Sequence, residues 1–251
     1  MRDSLKRVGV LAGRALKEIG RDPLSLIFLF AMPLVMEVGF YFLFHDQTDQ
    51  FHMDQLAPGI VVFSQAFLTL FAGLLLATDR GTAFLTRLFV TRAKPAEFIF
   101  GYVLALIPLV LLQSVLFFAV GAVIDRGILG WGMVSAVLFS LVTSLLFLSL
   151  GLLIGSLCRE KSVGGVASIV IVGQSVLSGM WFPATGLNGG FVTVMRCLPF
   201  KNASDLVAHA LNGASDPLRD LWIPLFVVLG YTVLAALAAV LAFRRQMRAD
   251  G

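Results

Sequence analysis

The sequence is short of charged residues. They fill 14% of its 251 positions, against about 25% in an ordinary soluble domain. With 58% hydrophobic residues and 22 Phe, a soluble fold of this length has too little polar surface to cover itself. Cys158 and Cys197 are the two cysteines, too few for a disulfide scaffold or a redox cluster. The three histidines, His45, His52 and His209, lie outside the apolar runs. That excludes an H-E-x-x-H zinc site and a Ser–His dyad within the membrane. No G-x-x-x-x-G-K-[ST] occurs, so the sequence holds no P-loop for nucleotide phosphates. The net charge of +4 gives no reason to expect a nucleic-acid partner.

What the sequence does have is long apolar runs. Covering about 30 Å of hydrocarbon takes roughly 20 apolar residues in a helix. Six stretches qualify: Leu24 to Phe44, Leu56 to Ala77, Phe98 to Ile124, Met133 to Leu157, Gly165 to Phe182 and Leu221 to Phe243. The expectation is an all-α membrane protein of six transmembrane helices, one domain over residues 1–251. The N-terminal stretch lacks the short apolar run and cleavage site of a signal peptide. Lys and Arg fall unevenly: six in 1–23, four in 78–97, two in 158–163 and three in 244–251. Only Arg126, Arg196, Lys201 and Arg219 lie on the other side of this alternation. The positive-inside rule then puts both termini in the cytoplasm, with the plasma (inner) membrane as location.

Three segments between the spans carry patterns. In 1–22, Leu5, Val8, Ala12, Leu16 and Ile19 recur at helical spacing opposite a cationic face. This predicts an amphipathic interfacial helix on the inner head groups, or a bare topology signal. Residues 78–97 form a long cytoplasmic loop in which Phe84, Leu85, Leu88 and Phe89 share one face. Exposed, that face needs a cover: the chain itself, lipid or another protein. Residues 183–220 are too long for a hairpin, and their two helix-like stretches suggest re-entrant or interfacial helices on the outer side.

Polar groups inside the spans are few. Glu37 is the one ionisable residue well within a span, either lining a pathway or pairing structurally. Gln65 with Thr69, and Gln174 with Ser178, sit one turn apart. Gln113, Ser140, Thr143 and Ser144 are also mid-span. Each can tie helices together or face a substrate path. Gly151-x-x-x-Gly155 is a close-packing pattern.

The order of these parts resembles the ABC-2 type permease family. Leu56-Ala57-Pro58-Gly59-Ile60 opens the second span. Asp79-Arg80-Gly81-Thr82, running to Leu88-Phe89-Val90-Thr91-Arg92, is similar to the family's coupling segment. Leu177-Ser178-Gly179-Met180-Trp181-Phe182-Pro183, with Leu198-Pro199-Phe200 downstream, is similar to its closing pattern. Arg92 stands where the family often has Pro.

The resemblance implies a permease subunit of an ATP-driven exporter. It would act as a homodimer or heterodimer, with two cytoplasmic P-loop ATPase subunits that bind ATP and Mg. ATPase coupling falls to Asp79, Arg80, Gly81, Phe84, Leu85, Leu88, Phe89 and Arg92. Glu37, Gln65, Gln174 and Ser178 become candidates for the transport path, with the cluster Met180, Trp181 and Phe182. No cofactor is expected in this chain and no enzyme activity of its own. The implied cargo is amphipathic: drug, lipid, glycolipid or peptide. The rival reading is a stand-alone secondary carrier or channel. A membrane protein without transport, such as a sensor, is a further one.

Overall fold

The computed structural model describes residues 2–81, 95–181 and 187–249. Among these every regular element is helical. Helix α1 spans Arg2–Ile19. Asp22 then accepts a hydrogen bond from Ser25 N at 3.1 Å and caps α2, Pro23–Phe44, with Pro23 in the first turn. That is where proline's missing N–H costs nothing. A single 3-10 turn, Asp49–Phe51, leads to α3, Met53–Gly81. Next come α4, Pro95–Ile124, and α5, Trp131–Leu157, separated by a 3-10 turn at Arg126–Ile128. Helix α6 covers Glu160–Leu177, α7 Gly189–Cys197 and α8 Pro199–Asn212. Gly213 ends α8 at φ +89°, a conformation that favours glycine. A π-helical turn at Leu218–Trp222 opens into α9, Ile223–Ala249. Pro224 has no N–H to bond Asp220 O, so the α ladder is interrupted where this turn widens.

Among the described residues, five helices are long and apolar enough to cross a membrane: Ser25–Phe44, Met53–Arg80, Pro95–Ile124, Trp131–Leu157 and Leu218–Arg245. They coincide with five of the six expected spans. The remaining one corresponds to α6. This helix begins at Glu160, earlier than the apolar run, and ends at Leu177. At 1.5 Å per residue it is about 27 Å long, and Glu160 and Lys161 polarise its first turn. Two boundaries move. Residues 78–81 belong to α3 and 95–97 to α4 rather than to a loop. Polar residues extend these helices because each finds a partner there, as described below. The 183–220 segment contains α7 and α8. Helix α8 folds back against α3, α5 and α9, burying Ala203, Leu206 and Val207.

Helix α3 is the central element, packing on α2, α4, α5, α6 and α8. Two apolar clusters stack along it. One joins Leu56, Ile60, Phe117, Phe118, Phe147 and Val207. The other joins Leu68, Leu76, Phe98, Leu106 and Phe243 to Ala12, Ala15 and Ile19 of α1.

Internal prolines leave carbonyls without their helical donor. Two of these are supplied from a neighbouring helix. Leu29 O, four residues before Pro33, accepts from Gln113 Nε2 at 3.3 Å. Asp54 O, four before Pro58, accepts from Asn212 Nδ2 at 2.9 Å. Gln113→Leu should therefore lower unfolding stability by about 1 kcal/mol. In a Pro33→Ala background, the backbone N–H restored at that position serves Leu29 O instead, and the loss should shrink. Equal losses in both backgrounds, measured by denaturant titration in micelles, would refute this supply.

Candidate coupling and transport elements

Helix α1 lies on α4, and the fit is close. A Cβ on Gly101 would stand 2.9 Å from Leu11 Cβ. Ala12, Ala15 and Ile19 are buried in this contact, whereas Leu16 is exposed. The expected lipid-facing stripe is thus partly a protein-facing one. Lys6, Lys17 and Arg21 remain exposed, but Arg7 and Arg14 turn onto carboxylates of the bundle.

Arg14 grips Asp79 with two bonds, Nη2 to Oδ1 at 2.6 Å and Nη1 to Oδ2 at 3.0 Å. Tyr102 OH also donates to Asp79 Oδ2. Arg7 grips Glu97 in the same way, Nε to Oε2 and Nη2 to Oε1, both at 2.9 Å. Ser4 Oγ donates to Glu97 Oε1 at 2.6 Å. Such two-pronged guanidinium–carboxylate pairs fix orientation as well as distance. Burial opposes the Arg14 charge, but the bond and the field from Asp79 outweigh it and hold Arg14 above its ordinary value. Burial, then the nearby Asp79 charge, pushes the Glu18 carboxyl up, with Arg14 pulling the other way.

Arg80 works in a different direction. Its Nη1 donates to Gly155 O at 2.6 Å, Ser156 O at 2.8 Å and Cys158 O at 3.2 Å. These carbonyls at the end of α5 lack helical donors. A cation there also matches the negative end of the helix dipole. Asp79 and Arg80, expected as coupling residues, therefore engage within the chain, and Gly81 closes α3. Phe84, Leu85, Leu88, Phe89 and Arg92 lie outside the described residues. The sequence places Arg7 and Arg14 on the cationic face of α1 but gives them no carboxylate partner, and gives Glu97 and Tyr102 no role. A faint signal existed: acids flanking the loop at 79 and 97, and arginines two turns apart on α1.

The mid-span polar groups form a seam between α3 and α5. Gln65 Nε2 donates to Ser140 O at 2.9 Å, and its Oε1 accepts from Thr143 Oγ1 at 2.7 Å. Thr69 Oγ1 donates to Phe147 O at 3.1 Å. The backbones touch alongside. A Cβ on Gly151 would fall 2.5 Å from Thr69 O, and one on Gly155 would fall 2.5 Å from Gly73 O.

The other expected path residues gather near the far end of α3. Gln174 Nε2 donates to Ser204 Oγ at 3.1 Å, tying α6 to α8. Ser178 Oγ accepts from Met180 N at 3.2 Å. Met180 covers Gly59, where a Cβ would meet Met180 Cβ at 3.1 Å. Trp181 Nε1 donates to Ser175 Oγ at 2.8 Å, and its ring meets Phe40 edge-on at 4.7 Å. Glu37 is fully buried, and neither carboxyl oxygen has a hydrogen-bond partner among the described residues. Its Oε1 lies against Gly121 of α4, where an added Cβ would stand 3.4 Å from it and also meet Ala57 and Ile128. Glu37, Gln65, Gln174, Ser178 and Met180 are all buried within the chain in this arrangement. Trp181 is partly exposed, and Phe182 lies outside the described residues.

Several apolar helices of membrane length, an amphipathic helix clasped on either side of residues 82–94, and the residue patterns above agree with a sequence comparison. The model of the ABC-2 type transporter family matches residues 6–211. The chain belongs to the ABC-2 type transporter family. A relative, ABC transporter G family member 20 of Dictyostelium discoideum, is 26% identical over 199 residues. That match takes in 77% of this chain and 27% of the relative, so the chain spans about a quarter of the relative's length. As a member of the ABC-2 type transporter family with several membrane-length apolar helices, it is a multi-pass membrane protein.

Proposed function

We propose that this ABC-2 chain is the permease half of an ATP-driven exporter, coupled through residues 82–94 to a separate cytoplasmic P-loop ATPase. The observation that carries this reading is the double clasp. Asp79 precedes the 82–94 segment and Glu97 follows it, and α1 holds both by bidentate pairs. A push on the segment therefore reaches α3, α4 and α1 together. Phe84, Leu85, Leu88 and Phe89 supply the apolar face that an ATPase groove would cover, with Arg92 beside it. The partner ATPase binds ATP and Mg.

In this reading α6 completes the six spans, α7 and α8 are the re-entrant pair, and both termini are cytoplasmic in the plasma membrane. Two permease chains, identical or related, meet along α2, α3 and α6. Helices α2 and α6 both pack on α3, and each keeps exposed apolar residues, among them Phe28 and Val35, and Ile169 and Val172. Separation of α2 and α6 from α3 opens the path. It would uncover Glu37, Gln174, Ser178 and Met180 beside Trp181, whereas Gln65, bonded to Ser140 and Thr143, joins the path only if α5 also withdraws. The Phe-rich surface suits an amphipathic cargo.

The test is co-purification with an ATPase encoded beside this chain, co-expressed and extracted into nanodiscs. Leu85→Asp and Phe89→Asp should each abolish association while membrane insertion persists. Retained association in both variants would sink the coupling assignment.

A further inference from the structure

A groove of about 510 Å³ lies between α8 and the start of α9. It is at the end of the bundle away from α1, where Asn212 of α8 bonds Asp54 near the start of α3. Arg196, Lys201, His209 and Arg219 line it. The sequence places only Arg126, Arg196, Lys201 and Arg219 away from the cation-rich end. Three of these four converge on one groove.

Its acids are already engaged. Asp205 pairs with Lys201 at 2.8 Å. Asp220 Oδ2 accepts from Asp216 N at 3.0 Å, and its charge also acts on His209 and Arg219. Arg196 and Arg219 have no ion pair among the described residues. The backbone carrying Arg196 is fixed: Asn202 Nδ2 donates to Arg196 O at 2.8 Å and to Leu198 O at 2.7 Å. The rest of the lining is apolar, namely Ile223, Pro224 and Val227 of α9. Ile223 and the adjacent Phe226 are exposed. Arg219 opens the apolar run Leu218–Arg245. Its guanidinium thus sits where hydrocarbon gives way to head groups.

We propose that this groove binds the anionic head group of a phospholipid drawn from the adjoining leaflet. The phosphate lies between Arg196 and Arg219, and an acyl chain follows the Ile223–Val227 face of α9. Guanidinium suits this ligand because its fork matches phosphate oxygens and it sheds water more readily than an ammonium. Lys201, neutralised by Asp205, adds less. The apolar floor favours a lipid over a free, fully hydrated anion. The inference rests on membrane placement and not on ATPase coupling.

The test uses the purified full-length chain in detergent, titrated with phosphatidylglycerol and followed by native mass spectrometry. One phosphatidylglycerol per chain should bind saturably and more tightly than phosphatidylcholine. Arg196→Gln and Arg219→Gln should each weaken it by about fivefold, the worth of one cation near a lipid surface. Arg126→Gln removes a cation from the same end but outside the groove, and should leave binding unchanged. All three residues are exposed, so the variants should fold. Equal weakening by all three, or by none, would overturn the site. So would displacement of the lipid by inorganic phosphate at matching concentration, which would mark a free-anion site instead.

Discussion

Gly151→Leu should leave almost no folded, monodisperse protein. The obstacle is backbone, not side chain. A Cβ at 151 would stand 2.5 Å from Thr69 O and 2.9 Å from Thr69 Cα. No rotamer change relieves that, so α5 must move away from α3. One turn on, Gly155 makes the same approach to Gly73, whose Cα would be 3.1 Å from its Cβ. Separation there strips the Gln65, Thr143 and Thr69 bonds along the seam. Overpacking alone costs about 1–3 kcal/mol, and each interhelical bond adds about 0.6 kcal/mol. The total, about 3–5 kcal/mol, is a large share of a domain's net stability. Gly151→Ala should already be harmful, because the clash is with the first added carbon. Gly165→Leu is the control, since nothing lies within 4 Å of a Cβ there. Size-exclusion profiles and melting temperatures of the three variants decide the matter. A wild-type profile for Gly151→Leu would mean that α3 and α5 do not pack as described.

Asp79→Ala should release α1 from the bundle. It removes both prongs of the Arg14 pair and the acceptor for Tyr102 OH. Tyr102 is buried and would lose its partner. Arg14 is about a third exposed, so water recovers part of its loss. A cost of about 2–3 kcal/mol follows, below that of breaking a fully buried pair. The readout is local. An unsupported helix of 18 residues is marginal in water. Amide exchange across α1 should therefore rise, while exchange in the α3–α5 seam stays as in the native chain. Restoring the pair in reverse, Asp79→Arg with Arg14→Asp, should recover part of the protection. Unchanged exchange in α1 would show that its apolar contacts alone hold it.

The apolar runs made the span helices legible, because length and hydropathy are local properties. Gly151 and Gly155 also announced a close approach, but not to which helix. The clasp was hidden for a different reason. Asp79 and Arg14 are 65 positions apart, Glu97 and Arg7 are 90 apart, and one sequence offers no rule for matching charges at such distances. The same holds for Gln113 and Asn212. Each reads as a generic polar residue until the carbonyl left bare by Pro33 or Pro58 is seen beside it. The spacing in residues 1–22 predicts that α1 is amphipathic. Its period could not say whether lipid or α4 would cover the apolar stripe, since both are equally nonpolar.

Arg7 and Arg14 lie seven positions apart, about 10.5 Å along α1. A rod pinned at a single point can swivel about it. Pinned at two, it keeps its heading relative to whatever holds the pins. If the ends of α3 and α4 draw apart or twist, α1 must tilt with them or let go of one carboxylate. Its exposed Lys6, Lys17 and Arg21 would swing through the same angle. The helix is thus a pointer whose heading reports the spacing of two spans.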